Sequence, residues 1–346
     1  MKIDNLIREN VKKMSAYSSA RDEFDAENSD YLFMDANENP FNTELNRYPD
    51  PYQIKLKSKI AAVKQIPEKN ILLGNGSDEV LDLIFRAFCE PNSDEIIILP
   101  PTYGMNEVLA NLNNIALKKI CLTPNFQIDV DSVLNSISKK TKLIFICSPN
   151  NPSGNLLQIN DIKIILKNFT GLVVLDEAYV DFSDSSSFIS ELNNFPNLII
   201  TQTFSKALAH AGIRLGMCFA SERIIEVLNK IKPPYNVNQL TQNKAIQVLN
   251  NFEKYQFQIQ ILKSEREILS EKLQEISWVE HVFPSEANFL LFRVDNAEKR
   301  YHQLLEEKIV VRNRSNIMLC ENCLRISVGT PAENQKLLKV LNRLNS

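Results

Sequence analysis

The chain has 346 residues, 44% of them hydrophobic and 23% charged, the composition of a globular protein long enough for one large and one smaller domain. Its 39 Lys and Arg against 42 Asp and Glu leave a net charge of −3, which argues against a nucleic-acid or membrane surface. No apolar run approaches membrane-spanning length, and the start, Met1-Lys2-Ile3-Asp4-Asn5, lacks the apolar core of a secretory leader, so a cytoplasmic protein is expected.

The first forty residues are polar and irregular apart from a short amphipathic piece at Leu6 to Val11. They read as an arm (1–40) that packs with the small domain and a partner subunit. Asp35 to Pro40 and Arg47-Tyr48-Pro49-Asp50-Pro51 follow, and the paired prolines force an extended or turning backbone. A helix with apolar Ile54, Ile60 and Ala61 leads into alternating strands and helices. The expected strands are Ile71 to Leu73, Ile96 to Leu99, Leu143 to Ile146, Leu172 to Leu175, Leu198 to Ile200 and Leu215 to Ala220. They are apolar throughout, as strands buried on both faces are, and the pattern implies an α/β layer with a largely parallel sheet. Lys232-Pro233-Pro234-Tyr235 is the expected linker, dividing a large domain (41–235) from a small α+β domain (236–346). In the latter, one or two helices span Gln239 to Ile276. Strands are expected at Phe289 to Phe292, Ile309 to Val311 and Leu324 to Val328, with helices near Ala297 to Leu305 and Ala332 to Leu341.

The six cysteines give little chemistry. Cys89, Cys147 and Cys218 lie in apolar patterns and read as buried thiols. Cys320 and Cys323 form a lone CxxC with no second pair and only three scattered histidines, so a structural role and no metal site are expected.

Chemistry concentrates where strands end. Lys206 follows an apolar strand, sits next to Ser205 and precedes Arg214 by two expected helical turns. Such a set suits a Schiff-base amine beside the phosphate of pyridoxal phosphate (PLP). Asp176 ends another strand, at the sheet edge where α/β proteins place ligands. A carboxylate there can pair with a protonated pyridine nitrogen, although a helix cap or metal ligand would look the same. Tyr179 follows three residues on. Ser77 and Asp78 open a helix, a natural anion cradle and equally an ordinary cap. Gly74-Asn75-Gly76 lacks the third glycine of a dinucleotide fingerprint. Tyr103 and Asn151 arrive from two further strand ends, suited to stacking on a planar ring and to bonding a ring oxygen.

Ser148 to Gly154 (Ser-Pro-Asn-Asn-Pro-Ser-Gly), Asp176-Glu177-Ala178-Tyr179 and Thr203-Phe204-Ser205-Lys206 with Arg214 resemble the motifs of fold-type I PLP-dependent aminotransferases. Asn37 to Pro40, Arg47 to Pro51, Pro101 to Met105 and Leu324 to Thr330 are similar to the histidinol-phosphate aminotransferase branch, in the right order along nearly the whole chain. The resemblance implies a large domain with a mostly parallel seven-stranded sheet between helices, plus a smaller α+β domain. It also implies roles. Lys206 is the covalent anchor and proton carrier, Asp176 pairs with the pyridine nitrogen, and Tyr179 and Asn151 hold the phenolic oxygen. Tyr103 stacks on the ring, and Ser77, Asp78, Ser205 and Arg214 bind the cofactor phosphate. Tyr48 comes from the neighbouring subunit of a homodimer with shared sites. Arg312 and Arg325 grip the phosphate of histidinol phosphate or a carboxylate of glutamate and 2-oxoglutarate, and Tyr17 closes over the substrate. The implied activity is a transamination of histidine biosynthesis. The alternatives are an aromatic amino-acid aminotransferase, a PLP-dependent phosphoamino-acid decarboxylase, or a non-catalytic regulator on the same scaffold. This sequence departs from the pattern at Ser153, where threonine is commoner, at Phe41-Asn42-Thr43, and at His210, which reads as a packing residue on a helix face.

Overall fold

The computed structural model describes residues 3–17 and 32–344. Helices α1 (Glu9–Lys13) and α2 (Ile54–Lys64) precede an alternating run of β1 (Ile71–Asn75), α3 (Gly76–Phe88), β2 (Glu95–Ile98), α4 (Met105–Leu112), β3 (Ala116–Lys119), α5 (Val130–Ser136), β4 (Thr141–Cys147), α6 (Ile159–Asn168), β5 (Leu172–Asp176), β6 (Leu198–Thr203), β7 (Leu215–Ala220) and α7 (Glu222–Ile231). The rest comprises α8 (Gln239–Asn250), α9 (Phe252–Gln274), β8 (Val279–Val282), β9 (Phe289–Val294), α10 (Ala297–Glu306), β10 (Arg312–Asn313), β11 (Cys323–Ser327) and α11 (Pro331–Arg343).

A seven-stranded sheet in the order β1-β7-β6-β5-β4-β2-β3 forms the large layer. Every neighbour pair in it is parallel except those made by β7, which runs antiparallel to β1 and β6. The uniformly apolar strands follow from what covers them. Ile97, Ile144, Ile146, Val173, Leu175 and Ile200 face a core shared with α2, α6 and α8. Their neighbours Ile96, Leu143, Phe145, Leu172, Val174 and Ile199 face a second core shared with α3, α4 and α7. Both faces are buried, so alternation in sidedness leaves no alternation in polarity. The mostly parallel order also puts the C-terminal ends of β2, β4, β5 and β6 on one edge.

The small layer is a four-stranded antiparallel sheet, β10-β11-β9-β8. It packs through Leu290, Phe292, Leu324 and Ile326 on α9, α10 and α11. Helix α11 starts where a sequence rule would put it: Thr330 and Glu333 form a reciprocal capping box, with Pro331 at the first helical position. Arg266 of α9, 5% exposed, donates to the carbonyls of Phe182 and Ala287 at 3.1 Å each, clamping the long helix to both layers.

Several expectations shift. Strands β3 and β8 carry exposed or partly exposed residues and no apolar run, so only their ladders reveal them. The expected strand at Ile309 to Val311 moves to Arg312–Asn313, because Ile309 still bonds back to Leu304 at the end of α10 and Val310 is exposed. The stretch from Lys206 to Arg214 is not two turns of α-helix. It is a tight turn, with Ala209 N bonded to Lys206 O and His210 N to Phe204 O, followed by a single 3-10 turn at Ala211–Ile213. His210 therefore lies on no helix face; its ring packs edge-on against Tyr255 at 5.5 Å. Within residues 3–17 of the N-terminal arm, Ile3, Ile7 and Val11 are buried against the outer helices α3 and α7 of the large layer. Ion pairs of Arg8 with Glu90 and of Arg223 with Asp4 reinforce that seat.

Candidate active site

A cleft of about 600 Å³ opens at the strand-end edge of the large sheet, closed on its far side by β10 and β11. Its wall includes Ser77, Asp78, Tyr103, Asn151, Asp176, Tyr179, Ser205, Lys206, Arg214, Arg312 and Arg325. All of the expected site residues meet there except two. Tyr48 stacks on Tyr235 at 4.5 Å outside the cleft and is 52% exposed, and Tyr17, 70% exposed, lines a small separate cavity beside Pro51 and Lys232.

Asp176 ends β5 and is 7% exposed. Its Oδ1 accepts from the Ala178 N–H at 3.1 Å and from Thr201 Oγ1 at 3.2 Å, which leaves Oδ2 for another donor. Burial pushes its pKa up to about 6 against the two hydrogen bonds, which pull it down. Such a carboxylate gains by acquiring a cationic partner. Tyr179, also 7% exposed, lies edge-on to Phe289 at 5.1 Å, and its hydroxyl accepts from Asn151 Nδ2 at 3.3 Å. Burial raises its pKa as well, keeping the phenol protonated.

Lys206 Nζ stands 5.6 Å from the Tyr179 ring centroid. The side chain reaches solvent through the cleft mouth, yet the surrounding walls lower its pKa by desolvation, and Arg325 adds to the effect. Asp176 and Asp78 oppose it. The turn that carries Lys206 is fixed by Thr203, whose Oγ1 donates to Leu215 O at 3.3 Å and accepts from Ser205 N at 3.1 Å.

Below the lysine lies the N-terminus of α3. The N–H groups of its first turn have no acceptor within the helix, and no side chain caps it, since Asn75 is turned away to Asn236 O at 2.7 Å. Two glycines make the approach possible. A Cβ on Gly76, whose φ is +74°, would sit 2.6 Å from Arg214 Nη2, and one on Gly216 would sit 2.2 Å from the backbone N of Ser77. Arg214 is held 3.6 Å from Asp78, and Asp78 also accepts from the Tyr103 hydroxyl at 2.9 Å.

Opposite, β10 and β11 present a second cationic cluster. Arg312 and Arg325 are register partners, so their side chains leave the ribbon on one face. Arg325 Nη1 donates to Asn151 Oδ1, and its guanidinium lies 5.0 Å over the Phe289 ring. Arg314 lines the same cleft. The sequence reading passed over it, although residues two apart on a strand share a face and Arg312 was already singled out. The role of Thr201 as hydrogen-bond donor to Asp176 was also unassigned, because it depends on the pairing of β5 with β6. The wall thus carries five cations (Lys206, Arg214, Arg312, Arg314, Arg325) against two carboxylates, Asp78 and Asp176. A cleft of that composition offers two places suited to anions, one on each sheet layer.

Matching residues 32–341, the family model of aminotransferase class I and II covers nearly all of the chain, which belongs to that family. The chain is 55% identical over 344 residues to the histidinol-phosphate aminotransferase of Christiangramia forsetii, covering 99% of this chain and 98% of that one. The crystal structure of the histidinol-phosphate aminotransferase from Clostridium acetobutylicum superposes with a TM-score of 0.81 at 28% identity, over 87% of this chain and 91% of that one. The enzyme of the same name from Sinorhizobium meliloti, solved in complex with pyridoxal-5'-phosphate, shares the fold at a TM-score of 0.79 and 22% identity, over 87% of this chain and 84% of that one.

Proposed function

We propose that the protein is a PLP-dependent transaminase of histidine biosynthesis that exchanges the amino group between histidinol phosphate and 2-oxoglutarate. The observation that carries the reading is the pair of anion sites on either side of Lys206, in a chain 55% identical to a histidinol-phosphate aminotransferase.

The residues fit the cofactor on four counts. The uncapped α3 terminus with Ser205 and Arg214 suits a phosphate. The buried Asp176 carboxylate suits a protonated ring nitrogen, and the Tyr179 and Asn151 side chains suit a phenolic oxygen. Tyr103, anchored through Asp78, provides the ring to stack against. When bound, PLP supplies an electron-withdrawing ring that stabilises negative charge at the substrate α-carbon. Lys206 Nζ anchors the cofactor and carries the proton that leaves the α-carbon, a task helped by its lowered pKa. Asp176 keeps the ring nitrogen protonated, and Arg325 with Arg312 holds the distal anion of either substrate.

The working unit is a homodimer, with Tyr48 and Tyr17 of one chain completing the site of the other. Both are exposed and outside the cleft of their own chain, and Phe41, Leu45 and Leu240 add exposed apolar surface. Residues 41–235 together with α8, which packs into the core of the large sheet, form the cofactor domain, the small domain takes the chain from α9 on, and the enzyme works in the cytoplasm. Among the described residues no helix is long and apolar enough to cross a membrane.

Steady-state turnover tests the reading. Histidinol phosphate with 2-oxoglutarate is expected to yield glutamate at a kcat/KM well above that for phenylalanine. Turnover of phenylalanine with none of histidinol phosphate would replace the reading by an aromatic aminotransferase, and release of CO2 from a phosphoamino acid by a decarboxylase. Light scattering checks the dimer, which a monomer at micromolar concentration contradicts.

A further inference from the structure

We infer that Arg314 is a third anion-binding guanidinium that selects the phosphate-bearing substrate over the dicarboxylate one. The inference rests on the transaminase reading above and concerns how one site treats its two partners differently.

The ribbon places the residue. Arg312 pairs with Arg325, Asn313 with Leu324, and the Arg314 N–H donates to Cys323 O at 2.9 Å, which carries the antiparallel ladder one step further. Residues two apart share a face, so Arg314 projects on the side of Arg312 and Arg325. All three line the cleft.

The company kept by other arginines of the same domain shows what is unusual. Arg266 satisfies backbone carbonyls at 3.1 Å. Arg300 makes a two-pronged bond to Asp295 at 2.9 and 2.7 Å and lies over Trp278 at 4.6 Å. These are arginines that hold the fold. Arg314 has no carboxylate partner among the described residues, and its Nε is buried with no acceptor. A buried donor left open costs stability. Burial and the two neighbouring guanidiniums also depress its pKa to about 10. An arginine held at that cost in a cleft wall is waiting for an anion.

The number of acceptors decides which anion. Arg325 already donates one Nη to Asn151, and with Arg312 it offers enough donors for the two oxygens and single charge of a carboxylate. A phosphate monoester presents three terminal oxygens and about −1.5 to −2 charges at neutral pH. The additional oxygen and charge are what the third guanidinium matches. With glutamate bound, Arg314 has little to add.

The test uses the holoenzyme and two single-turnover half-reactions, one started by histidinol phosphate and one by glutamate, in Arg314→Met and Arg314→Lys. Arg314→Met is expected to lower kcat/KM for histidinol phosphate by about 10- to 100-fold, chiefly through KM, and to change the glutamate half-reaction less than about threefold. Arg314→Lys restores part of the loss. Inorganic phosphate, used as a competitive inhibitor of the glutamate half-reaction, should bind more weakly to Arg314→Met by a similar factor. Equal losses for both substrates, or no loss for either, overturn the inference while leaving the transaminase reading standing. A wild type inert to histidinol phosphate overturns that reading, and the phosphate competition then decides on Arg314 alone. If Arg314→Met does not fold, Arg314→Lys carries the same comparison, because it keeps the charge and loses the fork.

Discussion

The two anion sites of the cleft are built in opposite ways. The one in the large domain is charge-compensated. The α3 terminus offers backbone N–H groups, glycines bring Arg214 and β7 against the helix end, and Asp78 stands 3.6 Å from Arg214. The one in the small domain is uncompensated: three guanidiniums on a short ribbon, with no carboxylate beside them among the described residues. A resident group needs a site that stays organised when nothing else happens. A substrate needs one whose charge draws it in from solution and whose few contacts let the product leave. On the proposed function, the difference assigns the resident cofactor to the large domain and the exchanging substrate to the small one.

That division can be broken from either side. The largest effect should come between the two sites. Lys206→Ala is expected to reduce transamination by about a thousandfold or more, by removing the proton carrier, with a thermal midpoint that barely moves because the side chain lies in the cleft mouth and fills no core. A collapse of the fold, followed by circular dichroism, would contradict this.

Asp176→Asn comes next, and it should separate function from stability. The raised carboxylate pKa means that ionising Asp176 in the cofactor-free fold costs free energy. The cost is absent below the unfolded pKa near 3.8 and complete above about 6. The rise corresponds to ~3 kcal/mol at most. The cofactor-free asparagine variant should therefore be more stable than the parent at pH 8 and equal to it near pH 3.5, while its activity is lost. Chemical denaturation at the two pH values measures both ends. A variant less stable at pH 8 would mean that the carboxylate is already paired in the empty cleft.

Arg325→Met and Arg214→Met test the two sites separately, with effects of about 100-fold or less. The first should weaken both substrates and leave cofactor retention on dialysis unchanged. The second should release the cofactor and leave the ratio of kcat/KM for the two substrates unchanged once PLP is saturating. The smallest effect should be that of salt. Raising ionic strength from low to physiological should raise KM for histidinol phosphate a few-fold and the cofactor's dissociation constant by less, since the small-domain cluster has no carboxylate to offset its charge whereas Asp78 offsets Arg214.

How much of this was legible beforehand depends on where the information sits. The large sheet could be read because its strands are apolar on both faces and end in motifs. Lys206, Asp176, Asn151 and Tyr103 could be placed at one edge for the same reason. The 206–214 segment was misread as helical, because a tight turn held by Thr203 and by backbone bonds leaves no periodic mark. The edge strands β3 and β8 are defined by pairing, and their sequence is too polar to announce them. Arg314 was hidden in plain view: Ile309-Val310-Val311 attracted the strand assignment, and moving it to Arg312–Asn313 is what aligns three arginines. In the proposed homodimer the positions of Tyr17 and Tyr48 relative to a working site depend on a second chain, and periodicity within one chain carries no such information.

The most direct measurement of the central claim is a single-turnover titration of the PLP-loaded protein with histidinol phosphate, histidinol and phenylalanine, followed through the absorbance of the bound cofactor. Stoichiometric conversion by histidinol phosphate, with histidinol about 10- to 100-fold less effective per molar concentration, is the expected result, because only the phosphate engages the small-domain cluster. Equal conversion by histidinol and histidinol phosphate would contradict it, and would show that the three arginines serve some other anion.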